Sequence, residues 1–135
     1  MGKPIQDIEG IGPAYGEKLA AAGIKTTGDL LERGCTAKGR KVISETCGLS
    51  DKQVLAWVNA ADLFRIKGVA GEFAELLECS GVDTVTELAQ RNAANLAVRM
   101  AEVNKEKKLT RRVPTASQVS DWVEQAKTLP RKVEY

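Results

Sequence analysis

Histidine is absent from all 135 residues, which removes Ser-His and Cys-His nucleophilic pairs, His-ligated zinc and the imidazole general base. Any catalysis would fall to carboxylates, lysine or tyrosine. Aromatics make up only 4% of the chain, so a core must be built from Ala, Leu, Val and Ile. The three cysteines, Cys35, Cys47 and Cys79, are odd in number and far apart. That spacing fits neither a disulfide framework nor a Cys-x-x-Cys metal site, and they read as small buried apolar residues. No apolar run approaches the ~20 residues of a membrane span. "MGKPIQDIEG" also lacks the apolar stretch of a signal peptide, so a cytoplasmic location is expected. Charge is nearly balanced at +2, which leaves weak, salt-sensitive nucleic-acid binding as the most that charge alone supports, unless the cations gather on one face.

What the chain does hold is a repeat. "IEGIGPAYGEKLAAAGIKTTGDLLERG", residues 8–34, aligns without a gap with "IKGVAGEFAELLECSGVDTVTELAQRN", residues 66–92, 58 positions on. Pro13 after Gly12 is a favourable first helical residue, and Tyr15, Leu19 and Ala22 recur at helical spacing until Gly23, predicting a helix over 13–22. Thr26 with Asp29, and more favourably Thr84 with Glu87, predict capping boxes on the helices that follow. "SDKQVLAWVNAA", residues 50–61, is echoed by "TASQVSDWVEQA", residues 115–126. The offset there is 65, so the second copy carries about seven extra residues, placed in or near the charged "NKEKKLTRRVP", which reads as a loop or frayed helix end. Val54, Trp57, Val58 and Ala61 form one helical stripe and read as core.

These features predict an all-α chain of two pseudo-symmetric halves, residues 1–65 and 66–135, packed as one compact body. No segment has sustained strand alternation.

The chemistry centres on the glycine turns. A turn with two glycines bends tightly, and the helix after it begins with unpaired amides and a partial positive charge, a combination that can hold a phosphate oxygen. Exposed amides near Ile11 are the expected donors. The pattern Ile5-x-x-Ile8-x-Gly10-Ile11-Gly12-x-x-x-Gly16 resembles the helix-hairpin-helix motif. Its second copy, Leu63-x-x-Ile66-x-Gly68-Val69-Ala70-x-x-x-Ala74, resembles it too. The layout through "KGRKVISETCGLSDKQVLAWVNAADLFRIKG" to the terminal "LPRKVEY" resembles a bacterial helix-hairpin-helix repeat family catalogued as a domain of unknown function. The resemblance implies contact with a nucleic-acid backbone and supplies no activity.

The two hairpins differ in charge. Where related DNA-binding hairpins commonly carry Lys or Arg after the second glycine, this chain has Ala14 and Glu72. Residues 66–90 hold one basic and five acidic residues, so hairpin two is expected to be structural or protein-facing, with Glu72, Glu75 and Glu78 on a solvated face. Hairpin one keeps Gly10, Ile11, Gly12 and Lys18. Basic residues also cluster as Lys38, Arg40 and Lys41, and as Arg99, Lys105, Lys107, Lys108, Arg111 and Arg112. Both clusters are either a phosphate track beside hairpin one or ordinary solvated surface.

Residues 41–61 have the texture of a helix-turn-helix, in which Asp51, Lys52 and Gln53 would meet bases; simple helix packing is the other reading. The expected function is a non-catalytic module that contacts the phosphate backbone, duplex DNA first, without reading sequence. The alternative is a protein-interaction adaptor whose hairpins are structural. No cofactor, metal, small-molecule substrate or membrane partner is expected.

Overall fold

The computed structural model describes residues 2–69 and 71–134, and it is all-helical: among the described residues the only extended pairing is a single bridge between Pro4 and Thr26. After a 3-10 turn at Ile5–Asp7 come α1 (Pro13–Ala21), α2 (Thr27–Gly34), α3 (Ala37–Cys47), α4 (Asp51–Leu63), α5 (Gly71–Cys79), α6 (Val85–Ala89), α7 (Ala93–Lys107) and α8 (Ala116–Thr128). Ala70, the counterpart of Gly12 in the repeat, lies outside the described residues.

Local chemistry sets these boundaries. Proline opens α1, and Gly12 caps it in extended conformation. At the other end Gly23 N–H donates to Ala20 O and Ile24 N–H to Leu19 O, a Schellman stop. The same pair of bonds closes α5, from Gly81 to Glu78 and from Val82 to Leu77. Thr36, Ser50 and Asn92 cap α3, α4 and α7 through their side chains. The charged segment after residue 103 is more ordered than expected. Helix α7 runs through Lys107 to a left-handed Lys108, and the buried Asn104 amide then bonds both N–H and C=O of Thr110, pinning the loop.

Contacts recur at matched positions. Ile11 N–H donates to Ile8 O and Val69 N–H to Ile66 O. Gly10 and Gly68 have φ of +95° and +98°, a region that strains residues with a Cβ. Each lies against a tryptophan indole nitrogen, of Trp57 and Trp122 respectively. Tyr15 packs on Trp57 at 5.2 Å between ring centroids, and Phe73 on Trp122 at 5.3 Å.

Two cores result. One gathers Ile5, Ile8, Leu19, Leu30, Val54 and Trp57 from the first four helices and the residues before them. The other gathers Leu63, Leu76, Leu88, Met100 and Trp122 from the end of α4 onward. Each fully buried Leu side chain is worth about 1.5–3 kcal/mol against leaving it in water. The stripe Val54, Trp57, Val58 and Ala61 is buried as expected, and so is its echo Val119, Trp122, Val123 and Ala126. Phe64 packs against both cores. The tail after α8 returns to the first core, where Val133 is buried and Glu134 N–H donates to Cys35 O at 2.7 Å.

Candidate nucleic-acid interface

Hairpin one divides into a sealed part and an open part. Ile11 is buried at 4% exposure and its N–H is held by Ile8 O at 3.1 Å, so the amide expected to face a ligand is used inside the turn. The exposed residues are Gly10, Gly12, Pro13 and Ala14. Proline has no N–H, so the donors this end of α1 can offer are Gly12, Ala14 and Tyr15, whose amides have no intrahelical acceptor. A Cβ built on Gly12 would meet nothing within 4 Å, and its φ of −87° suits any residue. Lys18, one turn on, is exposed, with its Nζ 5.8 Å from the Tyr15 ring centroid.

The basic run on α3 separates into two faces. Lys38 and Lys41 are exposed, and Lys41 pairs with Asp51 at 3.6 Å. Arg40 is a correction to the sequence reading. It is buried at 7% exposure, and its guanidinium donates to Gly34 O at 2.9 Å and Glu134 O at 2.7 Å, so it fastens the tail and is unavailable to a phosphate. Helix α3 leans on α1 where the Cys47 thiol donates to Lys18 O. Burial pushes that thiol up, against the pull of the Lys18 charge.

The later cluster sits elsewhere. Lys105 and Lys107 occupy the last turn of α7, where they complement the negative helix end. Lys108 caps that end, and Arg111 and Arg112 follow in the exposed part of the loop. Lys107 lies close enough to α5 for its charge to act on Glu75 and Cys79. Gly12 and Lys18 thus belong to the start and the last turn of α1, Lys38 and Lys41 to the exposed side of α3, and Lys105 to Arg112 to the end of α7 and the loop after it.

Asp51 accepts from the Ser44 hydroxyl at 2.6 Å and pairs with Lys41, so the first residue of α4 is tied to α3. The Ser44 bond, followed by the Lys41 charge, holds its carboxyl below the usual aspartate range.

At the entry to hairpin two the Lys67 backbone is bonded by the protein itself. The Gln125 side chain accepts from Lys67 N–H at 2.9 Å and donates to Lys67 O at 3.1 Å. Nothing in the sequence marked that clamp. The groove beside hairpin one was equally unforeseen: Ile8, Glu9, Gly10 and Trp57 face Ala74, Glu75 and Glu78 of α5 across a space of about 290 Å³. Glu75 is half-buried, a departure from the solvated face expected for it. A signal did exist in the alignment, since Glu9 stands where the second copy has Lys67.

Burial raises both groove carboxyls, helped by Glu9 at Glu75 and by Asp83 and Glu75 at Glu78, while Lys107 opposes the shift at Glu75. From the ordinary glutamate pKa of ~4.3 upward, the folded chain therefore holds more protons at these sites than the unfolded chain. Their contribution to stability is lost as pH rises through that window. Glu75→Gln and Glu78→Gln should flatten the decline in melting temperature, measured by circular dichroism between pH 4 and 7. Asp29 and Asp51 act oppositely, their contribution falling away as pH drops below ~3.9.

The family described as Domain of unknown function (DUF4332) matches residues 9–129, from hairpin one to the residue after α8. The chain belongs to that family. Neither curated proteins nor solved structures gave a match. In this DUF4332 domain no helix among the described residues is long and apolar enough to cross a membrane. No cluster of three or more Cys, Asp or Glu among them could hold a metal ion.

Proposed function

We propose that this chain is a pair of helix-hairpin-helix repeats that binds nucleic acid without catalysis, gripping the phosphates of duplex DNA without reading bases. The repeat reading is supported by the twin Schellman stops, the positive φ at Gly10 and Gly68, and the tryptophan beside each. The observation that carries the binding reading is the open first turn of α1, where Gly12 and Ala14 are exposed and Lys18 follows. In this reading the exposed Lys38 and Lys41 of α3 add cationic charge, and Arg40, held by Gly34 and Glu134, takes no part. Contacts of this kind position a protein on a duplex and carry no sequence information.

The test is a fluorescence-anisotropy titration with duplex, single-stranded and RNA probes at rising salt. Each phosphate contact contributes about 0.9 to the slope of log affinity against log salt on a duplex. Neutralising Lys38 and Lys41 should therefore lower the slope by up to about 1.8. Gly12→Asp is a clean probe, because aspartate is a good N-cap and has room there. It should keep the fold and weaken binding about tenfold by placing a carboxylate at the phosphate position. Failure of all three probes to bind at 50 mM salt would end this reading.

A protein-binding adaptor is favoured by one separate observation. The groove flanked by Glu9, Glu75 and Glu78 repels phosphate and presents apolar floor beside charge.

A further inference from the structure

The groove between hairpin one and α5 combines two properties that nothing else in the fold uses. Its floor is apolar, made by Ile8, Trp57, Ala60 and Phe64, and its walls carry Glu9, Glu75 and Glu78. The four ion pairs among the described residues involve none of these three carboxylates. Close packing fixes the gap's walls: a Cβ on Gly71 would meet the Asp7 carbonyl oxygen, and Glu9 Oε1 lies 3.5 Å from the same point. Hairpin one and the start of α5 are therefore in contact, and the opening beside them is part of the joint.

Carboxylates that make no ion pair, Glu75 feeling the Lys107 charge from α7, line an apolar groove here and suit one side-chain chemistry. Lys and Arg lay an alkyl stem along apolar surface while the cationic head reaches for charge. Arg adds a favourable cation–π contact with an aromatic ring, here that of the half-buried Phe64, and charge-assisted bonds to carboxylates. A space of about 290 Å³ falls at or below the small end of ligand pockets and suits one long side chain with its flanking backbone. Metal ions lack a ligand cluster here, and nucleic acid is repelled by the three acids.

We propose that this groove docks a basic segment of a partner protein, with one Arg or Lys stem lying along Ala56 and Ala60 of α4 and Phe64 just after it, and its cation among Glu9, Glu75 and Glu78. The proposal rests on the adaptor reading and is independent of phosphate contact at α1.

The probe is a blocked synthetic peptide of alternating leucine and arginine, with a control in which neutral citrulline replaces each arginine. Trp57 reports occupancy by fluorescence in a Trp122→Phe chain, and calorimetry on the unaltered chain gives the same answer should that variant fold poorly. The arginine peptide is expected to bind saturably and to shift Trp57 emission. Citrulline, or the double change Glu75→Gln with Glu78→Gln, should weaken it at least tenfold. Both glutamine changes relieve repulsion, so the fold should survive them, and duplex affinity of the same variant should be unchanged or higher. No saturable binding, or equal binding by the citrulline peptide or the glutamine variant, would overturn the proposal. So would sedimentation showing that the chain self-associates and that the glutamine variant disperses it, since the occupant would then be a second copy. Loss of DNA binding in Gly12→Asp with peptide binding intact separates the two sites.

Discussion

Asp62→Ala is expected to lower unfolding free energy by about 3–5 kcal/mol, the usual loss when one partner of a buried ion pair is removed. Asp62 is 1% exposed at the end of α4. Its Oδ1 receives the Arg65 guanidinium at 2.8 Å, and its Oδ2 accepts the Val85 N–H at 2.8 Å. Val85 opens α6, so the carboxylate is a cap supplied from another helix. Arg65 also donates to Pro130 O at 2.7 Å, which ties the tail to the same point. Alanine would leave a buried amide without acceptor and a cation without counter-charge. Asp62→Asn keeps an oxygen for Val85 N–H but turns its NH2 against the Arg65 guanidinium, donor against donor, so it should recover only the Val85 bond and still cost more than about half as much. Urea unfolding with circular dichroism checks both. A change within about 0.5 kcal/mol for Asp62→Ala, the range of ordinary surface substitutions, would show that the pair is idle. Against the ~5–15 kcal/mol typical of a whole domain, the expected loss is large.

That cap also explains a reversal between the two copies. The sequence favours a capping box at Thr84 and Glu87, yet the reciprocal box forms at Thr26 and Asp29, whose Oδ2 accepts from both Lys25 N–H and Thr26 N–H. At α6 the Thr84 side chain accepts from Glu87 N–H at 3.4 Å, and the Glu87 carboxylate turns to the Thr84 hydroxyl at 3.5 Å. A helix of five residues begins against Asp62, and the tertiary bond supplies the acceptor at its first residue. At Thr115 the reciprocal box with Gln118 does form, on a helix start exposed to water.

Periodicity and turn chemistry made the helices and their stops legible, because those signals act within a few residues. Pro13, Gly23, Gly81 and the tryptophan stripes all do in the fold what local rules require of them. The site was less legible, since it depends on which surfaces the joint brings together. Gln125 clamping Lys67 spans 58 residues, and the groove sets Glu9 opposite Glu75. One misplacement was avoidable. At 100° per residue, Lys38 and Lys41 lie on nearly the same face of α3, whereas Arg40 lies about 200° round from Lys38, so "KGRK" cannot act as one cationic patch.

Arg40→Ala should therefore act on stability before it acts on binding, lowering unfolding free energy by about 3–5 kcal/mol. Two hydrogen bonds from a charged donor are lost, each worth about 1.5–3 kcal/mol, and the carbonyls of Gly34 and Glu134 lose the donor that anchors the tail. Lysine cannot restore the pair, because one ammonium does not reproduce the fork that reaches two separated oxygens. Val133→Asp attacks the same strap from its apolar side, placing a carboxylate where a valine is 3% exposed in the first core, and should cost a similar amount. Because both changes release one segment, the double variant should lose clearly less than the sum of the two singles. Urea unfolding of the four chains gives that cycle. Anisotropy in the native buffer supplies the contrast: an Arg40→Ala chain that stays folded should bind duplex as tightly as the parent, with an unchanged salt slope. Unaltered stability with a slope lower by about 0.9 would instead return Arg40 to the phosphate track, and would mean that the tail leaves the first core in solution.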